Sequence, residues 1–252
     1  RLGVDGISIP MVILTAIVIF TGVFASWTIT NRPKEFFCFL LLLVSGVFGV
    51  FVSMNLFFFF LFYELAVLPM YLLIGIWGTG PKEYSAMKLT LYLLVGSAFI
   101  LLGIFALYFI SGYNTFDLEK LMRAQYLPNF QRVCFFLFYI GFGILAGIWP
   151  LHTWSPDGHA SAPTAVSMLH AGVLMQLGGY GVLRVGLGLL PEGLQYWAPL
   201  VGGIAVINIV YGAYVAMGQK DLKYVIAYSS VSHMGMVMLG CAAFNTMAIS
   251  GA

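Results

Sequence analysis

The sequence predicts an all-α integral membrane protein, and three observations predict it. Hydrophobic residues make up 61% of the chain and charged residues 8%, where a soluble domain carries about 25% charged residues. The apolar residues fall into eight runs close to the roughly 20 residues that a helix needs to cross a bilayer. These runs are apolar on every face, whereas the strands of a membrane barrel are about ten residues long and alternate in polarity. So little charge cannot cover a water-facing surface, so lipid is the solvent for most of the chain. The net charge of +2, spread over scattered basic residues, excludes a nucleic-acid surface. Cys38, Cys134 and Cys241 lie far apart in or beside apolar runs, with no spacing for a disulfide framework, a zinc site or an iron–sulfur cluster.

The eight expected spans, in order, are Ser8–Ile29, Phe36–Val52, Asn55–Trp77, Lys88–Ser111, Val133–Trp149, Ala165–Leu190, Tyr196–Met217 and Leu222–Ala243. The second and fifth are short, and the junction at Ser53–Asn55 is tight. Charge sits in the connections: Arg32, Lys34 and Glu35; Lys82 and Glu83; Asp117, Glu119, Lys120, Arg123 and Arg132; and Lys220, Asp221 and Lys223. If the spans alternate in direction, the excess of Lys and Arg on the side of the first loop places that loop in the cytoplasm. The chain begins at Arg1 rather than Met and ends in an apolar run, and its first run lacks a small-residue cleavage site. We therefore expect one transmembrane domain over 1–252 that is an internal piece of a longer protein.

The segment Trp149–Pro163 breaks the pattern. It reads WPLHTWSPDGHASAP, with Pro150, Pro156 and Pro163, His152 and His159, and Asp157. Proline removes a backbone donor and interrupts helices, and irregular backbone at membrane depth persists only where protein or water bonds the freed groups. The segment reads either as a broken helix with a polar re-entrant connection, where transporters place ion paths, or as an ordinary interhelical loop. His152, Asp157 and His159 offer three of a metal's ligands but no fourth, so no metal is expected.

Ionisable groups inside spans are costly and are functional candidates for that reason. Glu64 lies roughly 14 Å into its span at 1.5 Å per residue. A carboxyl there binds a proton or finds a cation, either as a proton-transfer site or as a protonated structural group bonded to a neighbouring helix. Pro69, five residues on, cannot donate to the carbonyl of Leu65 and is expected to loosen the helix there. His233 stands near mid-span beside Ser229, Ser230 and Ser232, which offer places for water. It is either a proton carrier or a neutral histidine bonding a helix neighbour. His170 and Gln176 lie about 120° apart at 3.6 residues per turn, with apolar Val173, Leu174 and Leu177 on the face of His170. The two need not form one polar stripe, and each can contact a different helix. Lys223 and Lys88 read as interfacial groups that either exchange protons with water or anchor the span ends. Nothing matches a phosphate loop, a nucleophile elbow or a dinucleotide fingerprint.

The stretches GVDGISIP, FYELAVLPMYLLIGIWG, PLHTWSPDGHASAPTAVSML, AGVLMQLGGYGVLR and QKDLKYVIAYSSVSHMGMVMLG occur in order along the chain. Together they resemble the antiporter-like chain M family of respiratory complex I, called subunit 4 in mitochondria, with weaker similarity to Mrp antiporter and membrane-bound hydrogenase subunits. The resemblance implies about fourteen helices in two inverted repeats, of which this chain holds the first repeat and the start of the second. It implies that Glu64 is the family's intramembrane glutamate, His233 the histidine of its central axis and Lys88 a lysine of the following helix. Two positions depart: Leu145 and Gln176 stand where the family usually has lysine, and His170 is similar to a histidine of the paralogous chain L subunits. The implied function is proton translocation in the membrane arm of an NADH:quinone oxidoreductase, in a bacterial inner membrane or an organellar energy-converting one. Antiporter-like and quinone-site subunits are the implied partners, and NADH, FMN, iron–sulfur clusters and quinone are expected in partner subunits, not in this chain. The departures leave open a structural spacer that has lost conduction. A cation/proton antiporter or hydrogenase-linked subunit is the third reading.

Overall fold

A computed structural model describes all of residues 1–252. Eight helices are long and apolar enough to cross a membrane, and the chain is a multi-pass membrane protein. They are α1 (Ser8–Ala25), α2 (Pro33–Val52), α3 (Leu56–Trp77), α4 (Lys82–Ile110), α6 (Pro128–Ala146), α8 (Thr164–Leu187), α9 (Pro191–Gly218) and α10 (Leu222–Ala242). Short helices α5 (Leu118–Met122), α7 (Trp154–Ser161) and α11 (Thr246–Gly251) lie between and after them.

Local chemistry sets the starts. Pro33, Pro128 and Pro191 open α2, α6 and α9 at positions whose amide would be unpaired in any case. Asn55, Asp117, Asp221 and Asn245 each accept from a backbone amide in the first turn of the helix that follows. Span edges differ from the expected ones for the same reason. α4 begins at Lys82, not Lys88, and α6 at Pro128, not Val133. A lysine or arginine in a first or last turn snorkels and does not end a helix. The charged connection after α4 contains α5, capped by Asp117. Pro69, expected to loosen α3, lies inside it, and α3 runs on through it to Trp77.

The spans alternate in direction, and their ends are tied by bonds between loops. On the face that carries the N-terminus, Leu2 pairs with Ser53 and Asn55 with Asp117. Arg1 approaches Asp117 and Glu119 at 3.6 Å each, and Arg184 near the end of α8 pairs with Asp5. Burial works to raise the Asp5 carboxyl, but bonds from Ser8 and the Arg184 guanidinium outweigh it and hold it below the usual range. On the opposite face, the Trp77 indole donates to the Asn31 carbonyl at 2.7 Å, and the Thr79 amide to the Ser161 carbonyl at 2.9 Å.

The sixth and eighth helices form the centre. Of their spanning windows 61% and 67% is buried, against 17% for α1 and 22% for α9, which present apolar side chains outward. α8 is not a regular α-helix: His170–Leu174 and Val182–Leu187 are π-helical turns, of the kind that often marks functional positions. Its close approach to α6 requires glycine at one position. A Cβ on Gly178 would stand 2.5 Å from the Ala146 nitrogen and 2.6 Å from the Phe142 carbonyl oxygen. Those are backbone atoms and cannot swing aside. We expect Gly178→Ala to destabilise the chain by about 2 kcal/mol or more. Gly203→Ala, with nothing within 4 Å of its added carbon, should be neutral or slightly stabilising. Thermal unfolding in detergent checks both, and equal melting points would contradict the packing described.

Candidate functional site

The interruption between α6 and α7 organises the polar groups of the chain. α6 ends on Gly147, whose φ of 69° is the left-handed conformation that glycine adopts readily. Residues 147–153 are irregular, and helix resumes at Trp154. Of the two readings left open for Trp149–Pro163, the broken helix is the one found, with its irregular part shorter than expected because α7 takes up half of the segment. Several groups around the break have partners from other elements. The Trp154 indole donates to the Ile144 carbonyl at 2.9 Å. The Trp149 amide donates to Asn208 Oδ1 at 2.8 Å, and Asn208 Nδ2 donates to the Val231 carbonyl at 2.8 Å. At the far end of α7, Lys223 Nζ donates to the Ala162 carbonyl at 2.8 Å and to that of Ala160 at 3.3 Å. The Ser85 and Ser161 hydroxyls meet at 2.7 Å.

The charged groups gather here as well. Lys88 Nζ donates to Asp157 Oδ2 at 2.7 Å, with 18% and 27% of the two side chains exposed. The Tyr224 hydroxyl donates to Asp157 Oδ1 at 3.3 Å. Lys88, read as a snorkelling group, is thus in an ion pair with the break. His152 is buried against the rings of Tyr211 and Tyr228, with centroids at 5.1 and 6.3 Å. His159 and His170 are fully buried and stack face to face, 3.9 Å between centroids and 12° between planes. Trp154 covers the other face of His170 at 5.1 Å. Val173, Leu174 and Leu177, the apolar residues on the face of His170, are buried, and its stacking partners come from α7, out of reach of any spacing rule. His152, Asp157 and His159 do not form a metal-holding group of three.

Glu64 is half-buried on α3, with the Ser97 hydroxyl of α4 as its polar neighbour, and its Oε1 atom is buried without a hydrogen-bond partner. No ion pair reaches Glu64, since none of the five in the chain includes it. Leu145, where the resemblance places a lysine, is 1% exposed within the apolar core. Ser97 and Lys88 both lie on α4 but two and a half turns apart, on opposite faces. The Glu64 and Asp157 regions therefore do not share one stripe of that helix.

Gln176 and His233 share a groove of about 590 Å³ whose lining includes Tyr180. Gln176 thus faces α10 while His170 faces α7, two different neighbours. His233 is exposed. Ser230 and Ser232, expected to offer water sites beside it, instead donate to the carbonyls of Ile226 and Ile209 at 3.1 and 3.0 Å. Reading the sequence missed Asn208, Ser97, Trp154 and Tyr224. Asn208 had a usable signal, as a lone amide in an apolar run. The other three act through contacts between distant segments.

Lys223 distinguishes a bonding role from a mere anchor. We expect Lys223→Met to leave two carbonyls of the break unpaired and to speed amide exchange at residues 159–162 by about one to two orders of magnitude. Hydrogen–deuterium exchange read by mass spectrometry checks this, and unchanged protection would reduce Lys223 to an anchor.

Comparison with known proteins places this geometry. Residues 53–252 match the family described as NADH:quinone oxidoreductase/Mrp antiporter, TM. The chain is 41% identical over 250 residues to NAD(P)H-quinone oxidoreductase chain 4 of Gloeobacter violaceus, covering 99% of this chain and 48% of that one. It is 44% identical over 250 residues to a chain 4 of a Picosynechococcus species, covering 99% and 46%. The chain thus spans about half the length of the curated relatives it matches. Among solved structures, it superposes on respiratory complex I from Thermus thermophilus with a TM-score of 0.93 at 28% identity, over 99% of this chain and 53% of that one. It shares its fold with an archaeal membrane-bound sulfane sulfur reductase, at a TM-score of 0.86 and 23% identity, over 99% of this chain and 42% of that one.

Proposed function

We propose that this chain, which belongs to the NADH:quinone oxidoreductase/Mrp antiporter transmembrane family, is a proton-translocating piece of the membrane arm of an NADH:quinone oxidoreductase. On this reading it is a single transmembrane unit, the first inverted repeat and the start of the second, in a bacterial inner membrane or an organellar energy-converting membrane. Other membrane-arm subunits are its partners. NADH, FMN, iron–sulfur clusters and quinone belong to partner subunits, and electron transfer there drives charge rearrangement here.

One observation carries the reading. Six of the nine buried side-chain polar atoms without a hydrogen-bond partner belong to Glu64, His152, His159 and His170. An unpaired buried polar atom costs about 1–3 kcal/mol, and lipid offers nothing to bond it. Concentration on ionisable groups, the three histidines at the helix break and Glu64 on α3, is what a path for protons and water requires, and structural packing gains nothing from it. In the sequence of events, Glu64 takes up and releases a proton on the α3 side. The break supplies the histidines, and Lys88–Asp157, with Tyr224 and Lys223, forms the end nearer the first-loop face. Each change of protonation alters the charge felt by its neighbours, so the groups titrate together.

Leu145 favours a second reading. Its burial in the apolar core, with no cation beside Glu64, is what a spacer that no longer conducts would have. One substitution separates the two. In the assembled complex reconstituted in vesicles, Glu64→Gln should leave assembly intact. It should slow proton transfer through this subunit by at least about a hundredfold, which lowers the proton-to-electron ratio by the subunit's share. An unchanged ratio in an intact complex would support the spacer.

A further inference from the structure

We propose that His159 and His170 form one coupled site that holds at most one proton between them, and that this pair is the proton carrier at the break. The proposal rests on the reading above and deepens it. Neither family position that departs from lysine can do this work: Leu145 has no ionisable group and Gln176 does not protonate at ordinary pH.

The geometry points to a pair. The rings lie parallel at 3.9 Å, closer than either approaches any other ring. They come from different elements, His159 from α7 and His170 from the first π-turn of α8. Gly158 keeps them together, since a Cβ there would meet His170 Cε1 at 3.3 Å and Leu89 Cδ1 at 3.0 Å. His159 Nδ1 stands 3.2 Å from the Ser167 hydroxyl, while His159 Nε2 and both nitrogens of His170 are buried without partners. Three free nitrogens at one stack allow a proton to arrive on one atom and leave from another.

Two imidazolium rings at this separation repel strongly in a medium that screens them little. One imidazolium beside one neutral imidazole is a different case. Its charge lies over the π face of its neutral partner, and His170 also has the Trp154 ring on its other face. The stack therefore accepts a first proton and resists a second. The ionisable groups on the packed elements reinforce that limit. α10 brings Lys223, whose ammonium bonds the carbonyls flanking Ser161, and Tyr224. α4 brings Lys88, neutralised by Asp157 of α7. α3 carries Glu64, the rest of α8 carries Tyr180 and Arg184, the latter paired with Asp5, and α1 has no ionisable residue. The stack is thus an acceptor of limited capacity, which a relay needs to pass protons singly, and it lies apart from His152, whose ring packs on Tyr211 and Tyr228.

Phenylalanine keeps a stacked ring of similar size but cannot hold a proton, so a purely structural stack survives it and a carrier does not. The test uses the assembled complex in vesicles, with Glu64→Gln, His159→Phe, His170→Phe and the double His159→Phe/His170→Phe variant. The readouts are quinone-reduction rate and proton-to-electron ratio. We expect the same drop in the ratio, measured per quinone reduced, for each single variant and the double, because one unit is lost once. Normal ratios in the histidine variants while Glu64→Gln lowers its own would overturn the pair and leave the functional reading standing. A double variant that loses clearly more than either single would mean two independent carriers and would also overturn it. A normal ratio in Glu64→Gln would overturn the functional reading and the pair with it. A Phe variant that fails to assemble is replaced by Gln at the same position and judged by the same criterion.

Discussion

Hydrocarbon cannot bond an amide or a carbonyl, so a helix interrupted at membrane depth must find all its partners inside the protein. The interruption between α6 and α7 and the turn from α7 into α8 satisfy this constraint from three directions: the Trp154 indole turns back onto Ile144, Asn208 reaches the interruption from α9, and Lys223 reaches the turn from α10. The arrangement of α4, α9 and α10 around the central pair of helices follows from it. Asn208 joins the break to the Val231 carbonyl, which fixes α9 and α10 relative to each other. Gly178 lets α8 lie against the backbone of α6 at the point where α6 ends. Removing Trp154, Asn208 or Lys223 leaves a carbonyl or amide without its partner, at about 1–3 kcal/mol each.

The same constraint explains where ionisable groups are tolerated. A break surrounded by bonded polar groups has a more polar interior than the surrounding bundle. Lys88 and Asp157 can form an ion pair there, and three histidines can be buried there, none of which an apolar span would accept. Glu64 is the exception, standing on an unbroken helix with Ser97 as its polar neighbour. Its isolation makes it the group whose protonation is hardest to replace by structure alone. α3 and α4 are packed neighbours, so the region of Glu64 adjoins the helix that carries Lys88. The half-turn offset between Lys88 and Ser97 means that any path joining them crosses to another helix.

Much of this was legible in the sequence, and the limits are physical. Eight spans follow from hydrophobic runs, because lipid leaves no other way to solvate so little charge. Glu64, the broken segment with Pro150 and Pro163, and the separate faces of His170 and Gln176 follow from cost and geometry along one chain. The ends of α4 and α6 were missed because lysine and arginine do not stop a helix at an interface. The stack of His159 on His170, the pairing of Lys88 with Asp157 and the role of Asn208 join residues 11, 69 and 59 or more positions apart. No periodicity encodes such contacts. The serines beside His233 misled because a hydroxyl in a helix readily bonds the carbonyl a turn back, as Ser230 does.

The central claim is that the buried, unpaired polar atoms of Glu64 and the break histidines are bonded by water in the working protein. A map of the assembled complex in lipid, sharp enough to show ordered water, tests it most directly. The account predicts water within hydrogen-bond distance of Glu64 Oε1 and of the free nitrogens of His152, His159 and His170. Those atoms packed against hydrocarbon, with no water or polar group in reach, would contradict it and leave a membrane scaffold that moves no protons.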